Sequence, residues 1–497
     1  MRDLALAVDV GTGSVRVALV DRTGRLLAIR HREHDQIVPR HGWSEQRPAD
    51  WWEGAVEAIR AVLSEVEGAA NRVAALCACG QMHGSVLVDA DGRLTRETAL
   101  LWNDKRTQPQ VEAFAARADV RATLDRTANW PAPAWPAFKL LWLMENDPDA
   151  VERASHLLMP KDWINFRLTG QRAQDRTEGS MSFLMDWRTR GWSASLGEMT
   201  GVPMRLLPAL RDPADVLGAL TPEAAHTLGL PAGLPVAVGA GDYPASLLGS
   251  GVTAPGLASD VTGTSTILTI LHDEPVLAEG LSNVLAPTGH WGSLTLLDAG
   301  GDAVRWARRA FHDNRRSYAE LAEAAERAEA GAGGLLFLPF LSGERFGRHP
   351  NSRAQFFGLT AAHGLADLHR AVLEGVAFSV RHRLEAAQGG HGRPERVVAA
   401  GGGARHALWL RIKASVYRVP FVLPEEPECG VVGAAALAFA AHDGEAPAAL
   451  AARMVRWSGE IAPDPHWAEL YDRMMPLWAD LYTAVQPFYD RLDALTR

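Results

Sequence analysis

Six residues near the start of the chain, Asp9-Val10-Gly11-Thr12-Gly13-Ser14, put a carboxylate, two glycines and two hydroxyls into one short stretch. Glycine lets the backbone approach a ligand closely, so several N–H groups can point one way, and Thr12 and Ser14 add hydroxyl donors. Such a turn can cradle phosphate oxygens. Asp9 at its lip could hold a hydrated divalent cation. The same residues would also make an ordinary tight hairpin with solvated polar groups, and the turn alone leaves both readings open. A second copy tips the balance. Asp260-Val261-Thr262-Gly263-Thr264-Ser265 repeats the pattern in the other half of the chain. Two such turns opening two halves of similar length point to an internal duplication gripping a polyphosphate between two lobes. A third stretch, Gly401-Gly402-Gly403, follows the apolar run Arg396-Val397-Val398-Ala399-Ala400 and precedes a helical run from His406 to Val416. Strand, glycines, helix is a geometry that lets a nucleotide come close to backbone N–H groups.

The elements that must position these residues follow from periodicity. Leu4 to Val8 and Val15 to Val20 read as two strands of a hairpin, and Leu26 to Glu33 as a third. Pro48 to Val66 is helical, with Trp52, Val56, Ile59 and Leu63 at three- and four-residue steps. Val73 to Cys79 is a buried strand that puts Cys77 and Cys79 on one face. It ends in the turn Gly80-Gln81-Met82-His83-Gly84, the kind of strand end at which ligands collect in open α/β sheets. Leu101-Trp102-Asn103-Asp104-Lys105-Arg106 is a loop both polar and aromatic. A linker-like turn over 230–235 precedes the strand Val236-Ala237-Val238 and the loop Gly239-Ala240-Gly241-Asp242. The second half opens after Ala254-Pro255-Gly256, so two domains are expected over 1–250 and 251–497. Val431 to Ala441 is a buried helix, and the chain from Pro447 on is helical.

The totals exclude several classes. The 497 residues allow two to four domains. A net charge of -9 argues against general affinity for nucleic acid or anionic membranes. Three cysteines cannot build a disulfide framework or a cysteine metal site. Asp3 and Asp9 interrupt the first apolar run, which therefore does not read as a signal peptide. The expectation is a cytoplasmic protein. No Gly-Lys pair occurs, so there is no Walker-type loop, and dinucleotide, zinc-protease and hydrolase-elbow motifs are absent too.

Longer motifs carry a resemblance. Pro136-Ala137-Phe138-Lys139-Leu140-Leu141-Trp142-Leu143-Met144-Glu145-Asn146 and Ala354-Gln355-Phe356-Phe357-Gly358-Leu359, with Asp367-Leu368 and Ala371-Val372-Leu373-Glu374 downstream, match two patterns of one family. Over nearly its whole length, to about Ala441, the chain resembles the FGGY carbohydrate kinases. These belong to the actin/Hsp70/sugar-kinase superfamily, so the implied fold is α/β: two duplicated ribonuclease-H-like domains with an interdomain cleft. The turn Gly80 to Gly84, the loop Leu101 to Asp104 and the stretch Leu341-Ser342-Gly343-Glu344-Arg345 are similar to the xylulokinase subgroup.

The resemblance implies roles position by position. Asp242 looks like the catalytic base. Met82 and His83 look like sugar contacts, with Trp102, Asn103, Asp104 and Tyr243 beside them. Thr12, Gly13, Ser14 and Arg16 would serve one phosphate site of ATP, and Gly263, Thr264 and Ser265 the other. Gly402, Gly403 and His406 stand where the family holds adenosine, and Asp9 would face Mg²⁺. The implied reaction is ATP-dependent phosphorylation of a ketopentose, D-xylulose first. A sugar hydroxyl is too weak an acid to attack a phosphate unaided, so one carboxylate must take its proton. Two departures stand out: Tyr243 replaces the Asn usual after the catalytic Asp, and the stretch Lys413 to Arg418 lacks the family's Asp and Gly. Tyr243 keeps another pentulose or a polyol open as substrate. A switch ATPase of the actin type is the alternative from another class. Partners are a sugar and ATP, with no nucleic acid and no membrane. The resemblance allows a homodimer, for which no interface signal stands in the sequence.

Overall fold

The structure, a computed structural model, describes residues 2–344 and 349–496. Arg345 of the expected Leu341–Arg345 loop lies outside the described residues. The chain forms two compact units. The first comprises the chain through Ala254 with Asn283–Trp291 and Glu428–Arg456, and the second comprises Pro255–Ser282, Gly292–Pro427 and the chain from Trp457 on.

The first unit is built on a six-stranded sheet. β1 (Leu4–Val10), β2 (Ser14–Asp21) and β3 (Leu26–Glu33) form the expected antiparallel meander. The two-residue strand β4 (Glu45–Gln46) lies outside this sheet. The helix α1 is Pro48–Glu65, and β5 (Val73–Gly80) runs parallel to β1. Next come Pro235–Gly241, parallel to β5, and the edge strand Val216–Ala219. Both faces are covered, as a sheet with parallel strands requires. Alternation along β1 sorts the two sides. Leu4, Leu6, Val8 and Val10 join Trp51, Ile59 and Val62 of α1 in one core. Ala5 and Ala7 join Cys77, Cys79 and the alanines of the helix Cys429–Asp443 in the other. Small residues on both sides let that helix lie close to the sheet, which is why Glu428–Arg456 packs with the first unit although it is late in the chain.

The second unit repeats the plan. In spatial order its sheet runs Trp291–Leu297, Thr266–His272, Leu257–Thr262, Arg396–Ala400, Phe421–Pro424 and Trp457–Ile461. Leu257–Thr262 is antiparallel to Thr266–His272 and parallel to Arg396–Ala400, the relation of β1 to β2 and β5. The duplication read from two six-residue turns is thus carried by whole sheets.

Three local expectations are corrected. The stretch 239–241 is not a loop: the strand runs from Pro235 to Gly241, and Asp242 is the first residue of the helix Asp242–Gly249. The turn over 230–235 lies inside the first unit, joining the helix Pro222–Leu228 to that strand. The tail after Pro447 is not all helix, because Trp457–Ile461 adds an edge strand between the helices Pro447–Met454 and Pro465–Thr496. Among the described residues no helix is long and apolar enough to cross a membrane.

Candidate active site

β1, β5 and Pro235–Gly241 are mutually parallel, so their carboxyl ends reach one edge: Val10 pairs with Gly80, and Gly80 with Gly241. That edge gathers Asp9, the turn Gln81–Gly84 and Asp242, where open α/β sheets place their ligands. A bulge between Ala237 and Ala240 aims the last strand. At its centre Gly239 has φ +76°, and a Cβ there would stand 1.9 Å from the Ala78 carbonyl oxygen, so only glycine fits. The bulge leaves the Val238 carbonyl outside the ladder, and it accepts from Asn165 Nδ2 at 2.7 Å and Lys161 Nζ at 3.3 Å. Lys161 is itself buried between Asp162 and Asp175, while Thr177 Oγ1 accepts the Gly241 N–H at 3.2 Å. These polar braces hold Asp242 in place.

Asp242 lies against the acidic side of the site. Burial, and after it the charge of Asp9, pushes its carboxyl up to about 7, while the Tyr243 N–H (2.7 Å) and Arg16 pull it down. Asp9 is raised by burial and held back chiefly by Arg16, whose Nη1 lies 3.8 Å from Asp9 Oδ2 and 3.0 Å from Glu428 Oε2. Asp9 Oδ1 is buried with no protein partner. A buried, unsatisfied carboxylate oxygen is costly unless something else binds it, and it fits a hard cation. Among the described residues no group of three or more His, Cys, Asp or Glu could hold a metal alone. One carboxylate with the remaining positions left to water and phosphate is the arrangement magnesium ordinarily takes.

Met82 packs its side chain against Gly241, where a Cβ would meet Met82 Cγ at 2.7 Å. His83 is clamped in the left-handed region, at φ 65°. Its N–H donates to Glu178 Oε2 (3.2 Å), its carbonyl accepts from Lys139 Nζ (2.6 Å), and its ring meets Trp135 edge-on at 5.1 Å. Burial holds the imidazole neutral, far below its usual range, and the buried Nδ1, 3.8 Å from Glu178 Oε2, makes no hydrogen bond. A neutral ring with a free nitrogen can bond a hydroxyl.

The other expected residues divide. Trp102 Nε1 donates to Thr12 Oγ1 at 3.0 Å, joining the aromatic loop to the Gly11–Ser14 turn. Asn103 Oδ1 is buried without a partner. Asp104 is turned inward: its carboxylate accepts from Arg106 and from the Ser44 N–H, which fixes the loop. Tyr243, partly exposed, follows Asp242 on the same helix. In the second unit the Gly263 N–H closes its turn onto the Ser265 carbonyl at 2.9 Å, as Gly11 does onto Ser14 at 3.0 Å. The N–H groups of Gly301 and Asp302 donate to the Gly263 and Thr264 carbonyls, each at 3.0 Å. Gly402 and Gly403 lie in a single tight helical turn, and His406 Nδ1 caps the helix Ala407–Tyr417 by accepting the Trp409 N–H. Glu344 anchors its loop by accepting from Ser352, Tyr482 and Arg383.

Lys139 and Glu178 were not singled out from sequence. A lone lysine inside Phe138-Lys139-Leu140-Leu141 was a usable signal, since a charge on an apolar helix face needs a buried partner. Glu178 had none: Asp175-Arg176-Thr177-Glu178 reads as a surface turn, yet Asp175, Thr177 and Glu178 are fully buried.

Residues 4–249 match the FGGY family of carbohydrate kinases, N-terminal domain, and residues 258–442 match its C-terminal domain. The xylulose kinase of Escherichia coli (strain K12) is 31% identical over 83% of this chain and 84% of its own length. That of Bacillus subtilis (strain 168) is 29% identical over 87% of each. The crystal structure of xylulose kinase from Rhodospirillum rubrum superposes with a TM-score of 0.92 at 30% identity, covering 98% of this chain and all of the other. Two duplicated sheets, a carboxylate pair at their strand ends and these matches lead to one statement: the chain belongs to the FGGY family of carbohydrate kinases.

Proposed function

We propose that this chain transfers the γ-phosphoryl group of ATP to D-xylulose, giving D-xylulose 5-phosphate and ADP, with Asp242 as general base. The observation that carries the assignment of the base is the carboxyl of Asp242, held up to about 7 beside Asp9 and the Met82–His83 turn. A base titrating near neutral pH can both accept a hydroxyl proton and release it afterwards. As the C5 oxygen attacks the γ-phosphorus, its proton passes to Asp242, the bond from phosphorus to the bridging oxygen breaks, and ADP leaves with that electron pair. Met82 and neutral His83 orient the sugar. The N–H groups and hydroxyls of Thr12, Gly13 and Ser14, with Arg16, bind phosphate oxygens, and Gly263, Thr264 and Ser265 form a second phosphate turn. Gly402, Gly403 and His406 take the adenosine. Asp9 would hold Mg²⁺, which neutralises charge on the phosphates when bound. The names of the relatives support the choice of sugar.

Tyr243 favours a second reading, a different pentulose or a polyol. Tyr243 follows the base directly on the helix Asp242–Gly249, and a phenol at that position would alter pocket shape and hydrogen bonding. Coupled ADP release with Mg·ATP across pentuloses and polyols tests both, with Asp242→Asn alongside. Turnover with D-xylulose, reduced about 10²–10⁴-fold in the variant, is expected for loss of a general base. Turnover with another sugar alone would move the assignment to that sugar. ADP release indifferent to any sugar would overturn the kinase reading.

A further inference from the structure

The first phosphate turn has an inner side that the proposed reaction does not explain. All three carbonyls at its tip are taken by protein donors: Gly11 O meets His34 Nε2 at 3.1 Å, Thr12 O accepts from Gln46 Nε2 at 2.6 Å, and Gly13 O accepts from the His34 N–H at 3.2 Å. The peptide bonds are trans, and in a trans peptide the C=O and the N–H of one plane point in opposite directions. Fixing the Thr12 carbonyl inward therefore turns the Gly13 N–H outward. Space lies open beside Gly13, where a Cβ would meet nothing within 4 Å.

Gln46 is itself held by two further bonds. Its Oε1 accepts from Trp51 Nε1 at 3.0 Å and from Gln81 Nε2 at 2.8 Å. Two donors on Oε1 leave Nε2 to face Thr12. Gln46 and Gln81 are each only 1% exposed. Gln81 directly precedes Met82 and His83, and its own N–H donates to the Val10 carbonyl at 2.8 Å. One buried amide thus touches the turn that carries the phosphate donors and the residue that leads the sugar turn.

We infer that Gln46 is a positioning residue of the kinase reaction: through its bond to the Thr12 carbonyl it aims the Gly13 N–H at a phosphate oxygen, and through Gln81 it ties that aim to the sugar turn. This rests on the kinase reading above. It predicts a separable effect, because Gln46 acts as donor toward the phosphate turn and as acceptor toward the sugar turn. Gln46→Glu keeps the acceptor and loses the donor when ionised, and regains an O–H donor when protonated. Gln46→Met keeps the length and loses both.

The test is steady-state kinetics of both variants from pH 5.5 to 8, taken as ratios to the unaltered chain at each pH, with thermal unfolding as the folding check. Q46E is expected to lose about tenfold in kcat/KM for Mg·ATP at pH 8, the size of one directed hydrogen bond. The ratio should recover toward acid, while the KM for sugar stays within about twofold. Q46M should lose a similar factor for Mg·ATP, flat with pH, and also raise the KM for sugar. Equal change on the ATP and sugar sides of Q46E, a pH-flat Q46E ratio, or unaltered kinetics in both variants would each overturn the inference. Should Q46E fail to fold, Q46M decides through tryptophan-fluorescence titration with Mg·ATP: unchanged affinity overturns the inference, and about tenfold weaker binding supports it. If the unaltered chain shows no sugar-dependent ADP release, the kinase reading itself has failed, which the Gln46 variants cannot mimic.

Discussion

Asp9 and Asp260 begin the two similar six-residue stretches, Asp9 two residues before Gly11 and Asp260 three residues before Gly263. Each lies near the carboxyl end of a strand that is antiparallel to the next strand and parallel to a later one: Asp9 opposite Arg16 and Cys79, Asp260 opposite Leu268 and Ala399. Their surroundings differ. Asp260 Oδ1 accepts from Lys413 Nζ at 2.6 Å and Thr262 Oγ1 at 2.7 Å, and Oδ2 accepts from Tyr417 OH at 3.1 Å. Asp9 has one oxygen with no protein partner, and a guanidinium shared with Glu428. Lys413 and Tyr417 both come from the helix Ala407–Tyr417, and together with Thr262 they occupy both oxygens of Asp260. Asp260 is tied into the fold through both oxygens, while Asp9 keeps one oxygen that no protein group satisfies.

The comparison breaks if the two aspartates respond alike. If Asp9 faces the metal as proposed, Asp9→Asn should cut turnover on the order of a hundredfold and leave thermal unfolding unchanged or raised. Asp260→Asn should do the opposite. It leaves Lys413 buried and unpaired, at a cost on the order of 3 kcal/mol, while activity per folded molecule stays within severalfold. Asp260→Asn with Lys413→Met should regain much of that stability. Unfolding scans beside ADP release read both halves, and a large activity loss in Asp260→Asn at unchanged unfolding temperature would overturn the structural role of Asp260.

Lys139 tests the sugar role proposed for the Met82–His83 turn. Its amine is fully buried, and burial brings it down to about 7 against the pull of Asp104 and Glu178. Lys139→Met frees the His83 carbonyl from its clamp. The KM for sugar should rise about tenfold with the KM for ATP unchanged. Equal changes in both would assign Lys139 to general stability.

Asp242 gives a pH signature. Its folded value near 7 lies above the ordinary carboxylate value of 3.8. The folded state therefore binds this proton more tightly between those limits. Stability falls as pH rises from about 4 to about 7, and the whole cost is present above 7. Asp242→Asn should raise the unfolding temperature at pH 8, by a gain on the order of 2 kcal/mol, and change little at pH 4. Activity should run the other way, with an acid limb near pH 7 where Asp242 takes up its proton. An acid limb below pH 5 would remove Asp242 as the group that titrates.

Much of this was legible in advance. Period-two runs such as Leu4 to Val10 and the Gly-containing turns announced both hairpins, because their signals are local. The Gly239 bulge was not legible, since Gly-Ala-Gly reads as a turn until the neighbouring strand shows what it pairs with. Glu178 and Gln46 stayed hidden for a related reason. Each is a polar residue in a polar stretch, and only tertiary packing reveals that it is buried and which backbone group it holds. By sequence Asp260 belongs to a phosphate-type turn, and nothing local announces Lys413 and Tyr417, 153 and 157 residues away.

The smallest effect concerns how Asp9 obtains its countercharge. Arg16 comes from the adjacent strand and is divided between Asp9 and Glu428, with side chains 43% and 38% exposed for Arg16 and Glu428. Exposed pairs of this kind are worth about 0–1 kcal/mol. Glu428 also raises the carboxyl of Asp9 by its charge. In Glu428→Gln the guanidinium turns wholly to the acidic pair, where Arg16 pulls down both carboxyls, and Asp9 also loses the upward push of Glu428. The acid limb of activity should then move to lower pH by a few tenths, and kcat/KM should change by no more than about threefold. Because the pair is exposed, the shift should fade as salt rises from 0.01 M to 1 M and the screening length shrinks from about 30 Å to about 3 Å. A shift toward higher pH would mean that Glu428 steadies Arg16 against Asp9. The first copy would then hold its countercharge as firmly as Lys413 holds Asp260, and the contrast between the two aspartates would narrow to the single unpartnered oxygen.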